Sequence, residues 1–174
     1  MSVTIKELQQ GDLLFMMDSS DISRAITEIK QDSIYSHVGI FFDGLIYHAT
    51  PKLGVNKQSL CSYLEEESKL VCVYRYADID IEKVRSEAEK YIGLPYNAGF
   101  YPESEGLYCS QYITKLLPIF ETIPMKFGDG VKEISNYWQE YYKELGTEIP
   151  LNQPGTNPYQ LSLSHLIFIG ELEQ

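Results

Sequence analysis

The chain has 174 residues, a length that suits a single domain over residues 1–174 with a real buried core. A formal charge of −11 argues against a nucleic-acid backbone or an anionic membrane surface as partner; it is compatible with an amine-bearing ligand, and first of all with a well-solvated surface. No apolar run approaches the ~20 residues of a membrane span, and three Cys with three His and no CxxC offer neither a disulfide framework nor a metal site.

The opening MSVTIKELQQGD lacks the apolar stretch of a signal peptide, so the chain as it stands is expected in the cytoplasm, or exported if a leader has been removed. Leu13 to Met17 reads as a short buried strand after a turn at Gly11-Asp12. Ser20 to Lys30 carries Ile22, Ala25, Ile26 and Ile29 at helical spacing. The run SHVGIFF, then Asp43-Gly44, then LIYHA is a hairpin signature: two β-rich segments joined by a two-residue turn. Thr50 to Asn56 reads as a loop, Ser59 to Glu66 as a short helix and Leu70 to Tyr76 as a strand. Asp80 is placed to cap a helix reaching about Ile92, which Gly93 and Pro95 end. A polar loop over 97–107 leads to a helix from Cys109 to Leu117, packed through Tyr112, Ile113, Leu116 and Leu117 and halted by Pro118. Val131 to Leu145 is amphipathic, with Asp129 near its start and Gly146 at its end. Residues 150–158 read as a loop and Leu163 to Gly170 as a last strand. The fold class is therefore α+β, an antiparallel sheet packed with helices.

Chemistry concentrates at the hairpin and at Cys109. With Asp43-Gly44 as the turn, Phe42 faces Leu45, Ile40 faces Tyr47, Gly39 faces His48 and His37 faces Thr50. His37 and His48 then share a face as diagonal neighbours about 7–8 Å apart at Cα, with Gly39 leaving room between them. One histidine held by another is the arrangement a base and its orienting partner need, and the same two residues taken alone equally suit a polar exposed face. Cys109 opens a helix, where backbone amides and the dipole favour a thiolate and where its own N–H can face an oxyanion. Cys72 reads as a buried structural residue, and Cys61 carries no assignment.

GDLLF, SHVGIFF with YHAT, GLPYNAGF and YCSQYI together resemble the permuted branch of the NlpC/P60 papain-like superfamily, nearest to the YiiX/YaeF-like amidases and more distantly to the lecithin:retinol acyltransferase group. The likeness spans about residues 11–117 and implies a circularly permuted papain-like (NlpC/P60) fold in which the histidine strand precedes the cysteine helix. It implies Cys109 as nucleophile, His37 as base and His48 as the third polar residue. Two positions depart from the pattern: Gln111 stands where relatives commonly carry Glu, and Asn97 where Asp is frequent. Tyr35, Tyr96, Phe100 and Tyr108 flank the motifs and carry no assigned role.

The activity so implied is a cysteine amidase or peptidase-like hydrolase working through a thioester on small amides or cell-wall peptide fragments, with no cofactor and no metal. Two alternatives stand beside it: acyl transfer or lipid-ester hydrolysis at the same Cys-His-His site, and an inactive binding module. Residues 126–146 read as either a lid or further core.

Overall fold

Asp43 and Gly44 reverse the chain with both residues in the left-handed region, φ 50° and 78°. That is the backbone a two-residue turn needs to match the right-handed twist of its flanking strands. The register it sets is the expected one, with Phe42 opposite Leu45, Phe41 opposite Ile46 and Ile40 opposite Tyr47. The computed structural model describes residues 1–17, 35–66 and 70–174. The helix expected over Ser20–Lys30 lies outside them.

Among the described residues the strands are β1 (Ser2–Val3), β2 (Leu13–Met17), β3 (His37–Phe42), β4 (Leu45–Thr50), β5 (Gly54–Ser59), β6 (Leu70–Arg75), β7 (Ile123–Pro124), β8 (Pro154–Gly155) and β9 (Ile167–Leu172). Among the described residues the helices are α1 (Leu60–Glu66), α2 (Ile81–Lys90), α3 (Cys109–Leu116), α4 (Asn136–Leu145) and α5 (Pro158–Ser162). Seven strands form one sheet in the order β1-β9-β6-β2-β3-β4-β5, antiparallel throughout except for β1 against β9. β7 and β8 make a separate two-stranded ribbon.

Pleating divides the central strands between two apolar layers. Leu13, Phe15, Val38, Ile40 and Phe42 meet Tyr112, Ile113 and Leu116 of α3 in the main core. Leu14, Met16, Phe41 and Ile46 pack instead with Leu60 and Tyr63 of α1. Every residue of β3 is buried, as a central strand between two helical layers requires. Asp12, fully buried at the start of β2, accepts from Arg75 Nε (2.7 Å) and Nη2 (2.9 Å) on β6 and from the Gln9 amide (2.8 Å). A bidentate pair of this kind fixes geometry more than it adds stability.

Four boundaries differ from the expectation, and at two of them a local polar side chain outbids periodicity. The helix expected from Val131 begins at Asn136, capped by Ser135 Oγ accepting from the Trp138 amide (3.3 Å). Asp129 serves a turn instead, its carboxylate accepting from the amides of Val131 (2.9 Å) and Lys132 (2.8 Å). The loop expected over 50–56 ends early, because Gly54 (φ 69°) starts strand β5 against β4. The last strand begins at Ile167, not Leu163, and the stretch 150–158 is not all loop. β8 lies within it, and Asn157 caps α5 through the Gln160 amide (2.8 Å) with Pro158 in the first turn.

Candidate active site

The β3–β4 ladder stops at Ile40–Tyr47, while β4 stays paired to β5 as far as Thr50–Gly54. The expected Gly39–His48 and His37–Thr50 pairs therefore lie beyond it. The side chains of the two histidines still meet there, with His37 Nε2 2.9 Å from His48 Nδ1. Gly39 permits this approach: a Cβ there would stand 2.6 Å from Ile46 Cγ1 and 3.2 Å from His48 Cβ.

His48 is fully buried, and its other nitrogen, Nε2, lies 2.7 Å from Gln58 Oε1. An amide oxygen only accepts, so His48 Nε2 donates to it. Nδ1 of a neutral His48 must then accept, and His37 Nε2 is the donor. The chain Gln58–His48–His37 thus sets the tautomer of both rings and leaves the basic lone pair of neutral His37 on Nδ1. The Tyr63 ring stands edge-on to His48, with centroids 4.9 Å apart. Gln58 was not anticipated. It lies in the polar run VNKQS, half of which reads as loop, and only its pairing opposite Ile46 in β5 makes it the diagonal neighbour of His48.

Cys109 is the first residue of α3, follows the N-cap Tyr108 and is buried. α3 packs across β3 and β4, the two strands bearing the histidines. Gln111 Oε1 accepts from the Tyr108 amide (3.2 Å) and from Asn97 Nδ2 (3.1 Å), and Asn97 also donates to the Tyr101 carbonyl (2.7 Å). The two departures from the resemblance are therefore partners of each other, and together they hold the loop that delivers Cys109. On the other flank, Thr156 donates its amide to Tyr108 Oη (3.1 Å) and its hydroxyl to Ser110 Oγ (3.0 Å). Burial pushes the phenols of Tyr96 and Tyr108 up, and the charge of neighbouring Cys109 adds to both shifts. Of the other cysteines, Cys72 is buried in β6 and Cys61 is exposed on α1.

A cavity enclosing about 110 Å³ opens beside Cys109. Tyr96, Phe100 and Tyr108 line it, so three of the four flanking aromatic residues acquire a place. The fourth, Tyr35, packs against Phe15 and Tyr74 in the core. Within residues 126–146, Phe127, Trp138 and Tyr142 are buried with Phe100 and Tyr108. Tyr141 and Tyr142 donate to the carbonyls of Ala98 (2.6 Å) and Gly99 (2.8 Å).

The model of a family of permuted papain-like amidases, YaeF/YiiX of the C92 family, matches residues 7–129. The chain belongs to this family. It is accordingly a cysteine amidase or peptidase-like hydrolase of circularly permuted papain-like fold. Among solved structures, the metalloprotein YiiX from Escherichia coli O157:H7 superposes with a TM-score of 0.78 over 94% of this chain and 97% of that one, at 24% identity. That likeness is one of fold. No curated protein sequence matches the chain. Among the described residues no group of three or more His, Cys, Asp or Glu is placed to hold a metal ion, and no helix is long and apolar enough to cross a membrane.

Proposed function

We propose that this family member hydrolyses small amides or peptide fragments, with Cys109 as nucleophile, His37 as its base and His48 as the residue orienting that base. Cys109 Sγ yields its proton to His37 Nδ1 and attacks the amide carbonyl, whose π electrons move to oxygen. The Cys109 amide N–H, at the start of α3, donates to that oxyanion. Collapse of the tetrahedral species breaks the C–N bond. His37 returns its proton to the departing amine, leaving the acyl group as a thioester on Cys109. Water, deprotonated by His37, then attacks the thioester, expels the thiolate and releases the acid.

The observation that carries this reading is the directional chain Gln58–His48–His37. It holds the proton of neutral His37 on Nε2, which is the tautomer a base acting through Nδ1 requires. The test is alkylation by iodoacetamide as a function of pH, followed at each cysteine by mass spectrometry, in the wild type and in His37→Ala. Cys109 is expected to react selectively near neutral pH and to lose that reactivity in the variant. Should Cys109 react no faster than exposed Cys61, or react independently of His37, the catalytic assignment fails.

A further inference from the structure

We infer that the cavity beside Cys109 is the acyl-side specificity pocket and that it selects a compact apolar acyl group, a short branched chain or a single aromatic ring; the inference rests on the roles proposed above. Cys109 stands in the cavity wall, so a group lodged there lies within a bond or two of the carbonyl under attack. Neither histidine is among the described residues that line it. The leaving amine has to lie against His37 to collect its proton, which assigns the cavity to the other half of the substrate.

Size and lining define what fits. The space of about 110 Å³ is of the same order as an apolar cavity of about 150 Å³ able to hold benzene, and well under the ~300–1,000 Å³ of a whole-ligand site. Phe100, Ile123, Met125, Phe127 and Trp138 make its walls apolar. Lys126 is the one charged residue among the described lining, and its ammonium is engaged by Asn152 Oδ1. The walls are also braced. Trp138 sits edge-on to both Phe100 and Phe127, at centroid distances of 5.8 and 5.3 Å. Gly155 lies so close that a Cβ there would come within 2.5 Å of Met125 Sδ and 3.1 Å of Tyr108 Oη. Walls packed this tightly against each other do not spread to admit a long chain. Trp138 and Thr156–Pro158 fall beyond the stretch matched by the family model, residues 7–129.

The experiment uses the intact protein with the p-nitrophenyl esters of acetate, 3-methylbutanoate, phenylacetate and dodecanoate. The Cys109 thiolate forms the S–C bond, the C–O bond breaks and p-nitrophenolate leaves with the electron pair. Its burst gives the acylation rate, and mass spectrometry locates the adduct. The 3-methylbutanoyl and phenylacetyl groups are expected to acylate Cys109 about tenfold faster than acetyl at equal concentration, and dodecanoyl no faster than 3-methylbutanoyl. Met125→Trp and, as an independent filling variant, Ile123→Phe are expected to bring the phenylacetyl-to-acetyl ratio close to one. Equal rates for all four esters at Cys109, or a rise that continues to dodecanoyl, overturn the pocket assignment while leaving the nucleophile in place. If no ester leaves an adduct on Cys109, the nucleophile assignment and the pocket's role fall together.

Discussion

Replacing Gln58 by Leu keeps a side chain of similar bulk while removing the acceptor that orders the histidine chain. The bond lost is short, 2.7 Å, and it ends on an imidazole with no solvent exposure. Taking away this partner of a buried N–H costs about 1–3 kcal/mol. His48 can avoid that cost by moving its proton to Nδ1, but that proton then points at His37 Nε2. His37 must in turn carry its own proton on Nδ1, where the thiol proton has to go. The free energy that favoured the productive tautomer is therefore the amount withdrawn from the base, and about 1–3 kcal/mol corresponds to about 5- to 150-fold in the population able to act. The assay is iodoacetamide alkylation of Cys109 at neutral pH, with Cys61 of the same molecule as internal reference. Gln58→Leu is expected to slow Cys109 by about ten- to a hundredfold without changing Cys61. Gln58→Glu keeps an acceptor and adds a charge that supports a protonated pair, so its Cys109 rate is expected to stay within about threefold of wild type. A folded Gln58→Leu protein that alkylates at the wild-type rate would show that the tautomer is set by something other than this chain.

Gly39→Ala is expected to destabilise the fold by about 1–3 kcal/mol through overpacking, because its Cβ meets Ile46 at 2.6 and 2.7 Å. Urea denaturation measures the loss; a neutral Gly39→Ala would mean that Ile46 gives way at little cost. Tyr47 donates to Glu89 Oε1 (2.6 Å), and burial first, then this bond, push its phenol up to about 12. A folded value above the ~10 of an unfolded tyrosine means that the contribution is fully present below about pH 10 and is lost as pH rises through about 12. Stability followed by urea melts from pH 9 to 12 should fall more steeply in the wild type than in Tyr47→Phe, and parallel slopes would refute the assignment.

Much of this protein is written locally. Asp43-Gly44 demands a two-residue hairpin, the hairpin fixes which residues oppose each other, and that register brings His37 and His48 to one another before any other part of the fold is known. The helix starting at Cys109 is equally legible, since Tyr112, Ile113 and Leu116 repeat at helical spacing and Pro118 ends it. What the tertiary structure alone decided depends on contacts between segments far apart in sequence. Gln58 joins the histidines because the polar strand β5 pairs with β4, and a run such as GVNKQS carries no apolar alternation to announce a strand. The start of α4 at Asn136 was settled by Ser135 accepting from the Trp138 amide while Asp129 takes the amides of Val131 and Lys132 into a turn, which hydrophobic periodicity does not record. The pocket is the clearest case. Its walls come from Tyr96–Ser110, Ile123–Phe127, Trp138 and Thr156–Pro158, four stretches that acquire a common surface only when aromatic packing and the β7–β8 ribbon bring them to the start of the cysteine helix. Hydrogen-bonded local structure is short-ranged and can be read along the chain, whereas the shape of a cavity is a property of packing and exists only once the chain has closed around it.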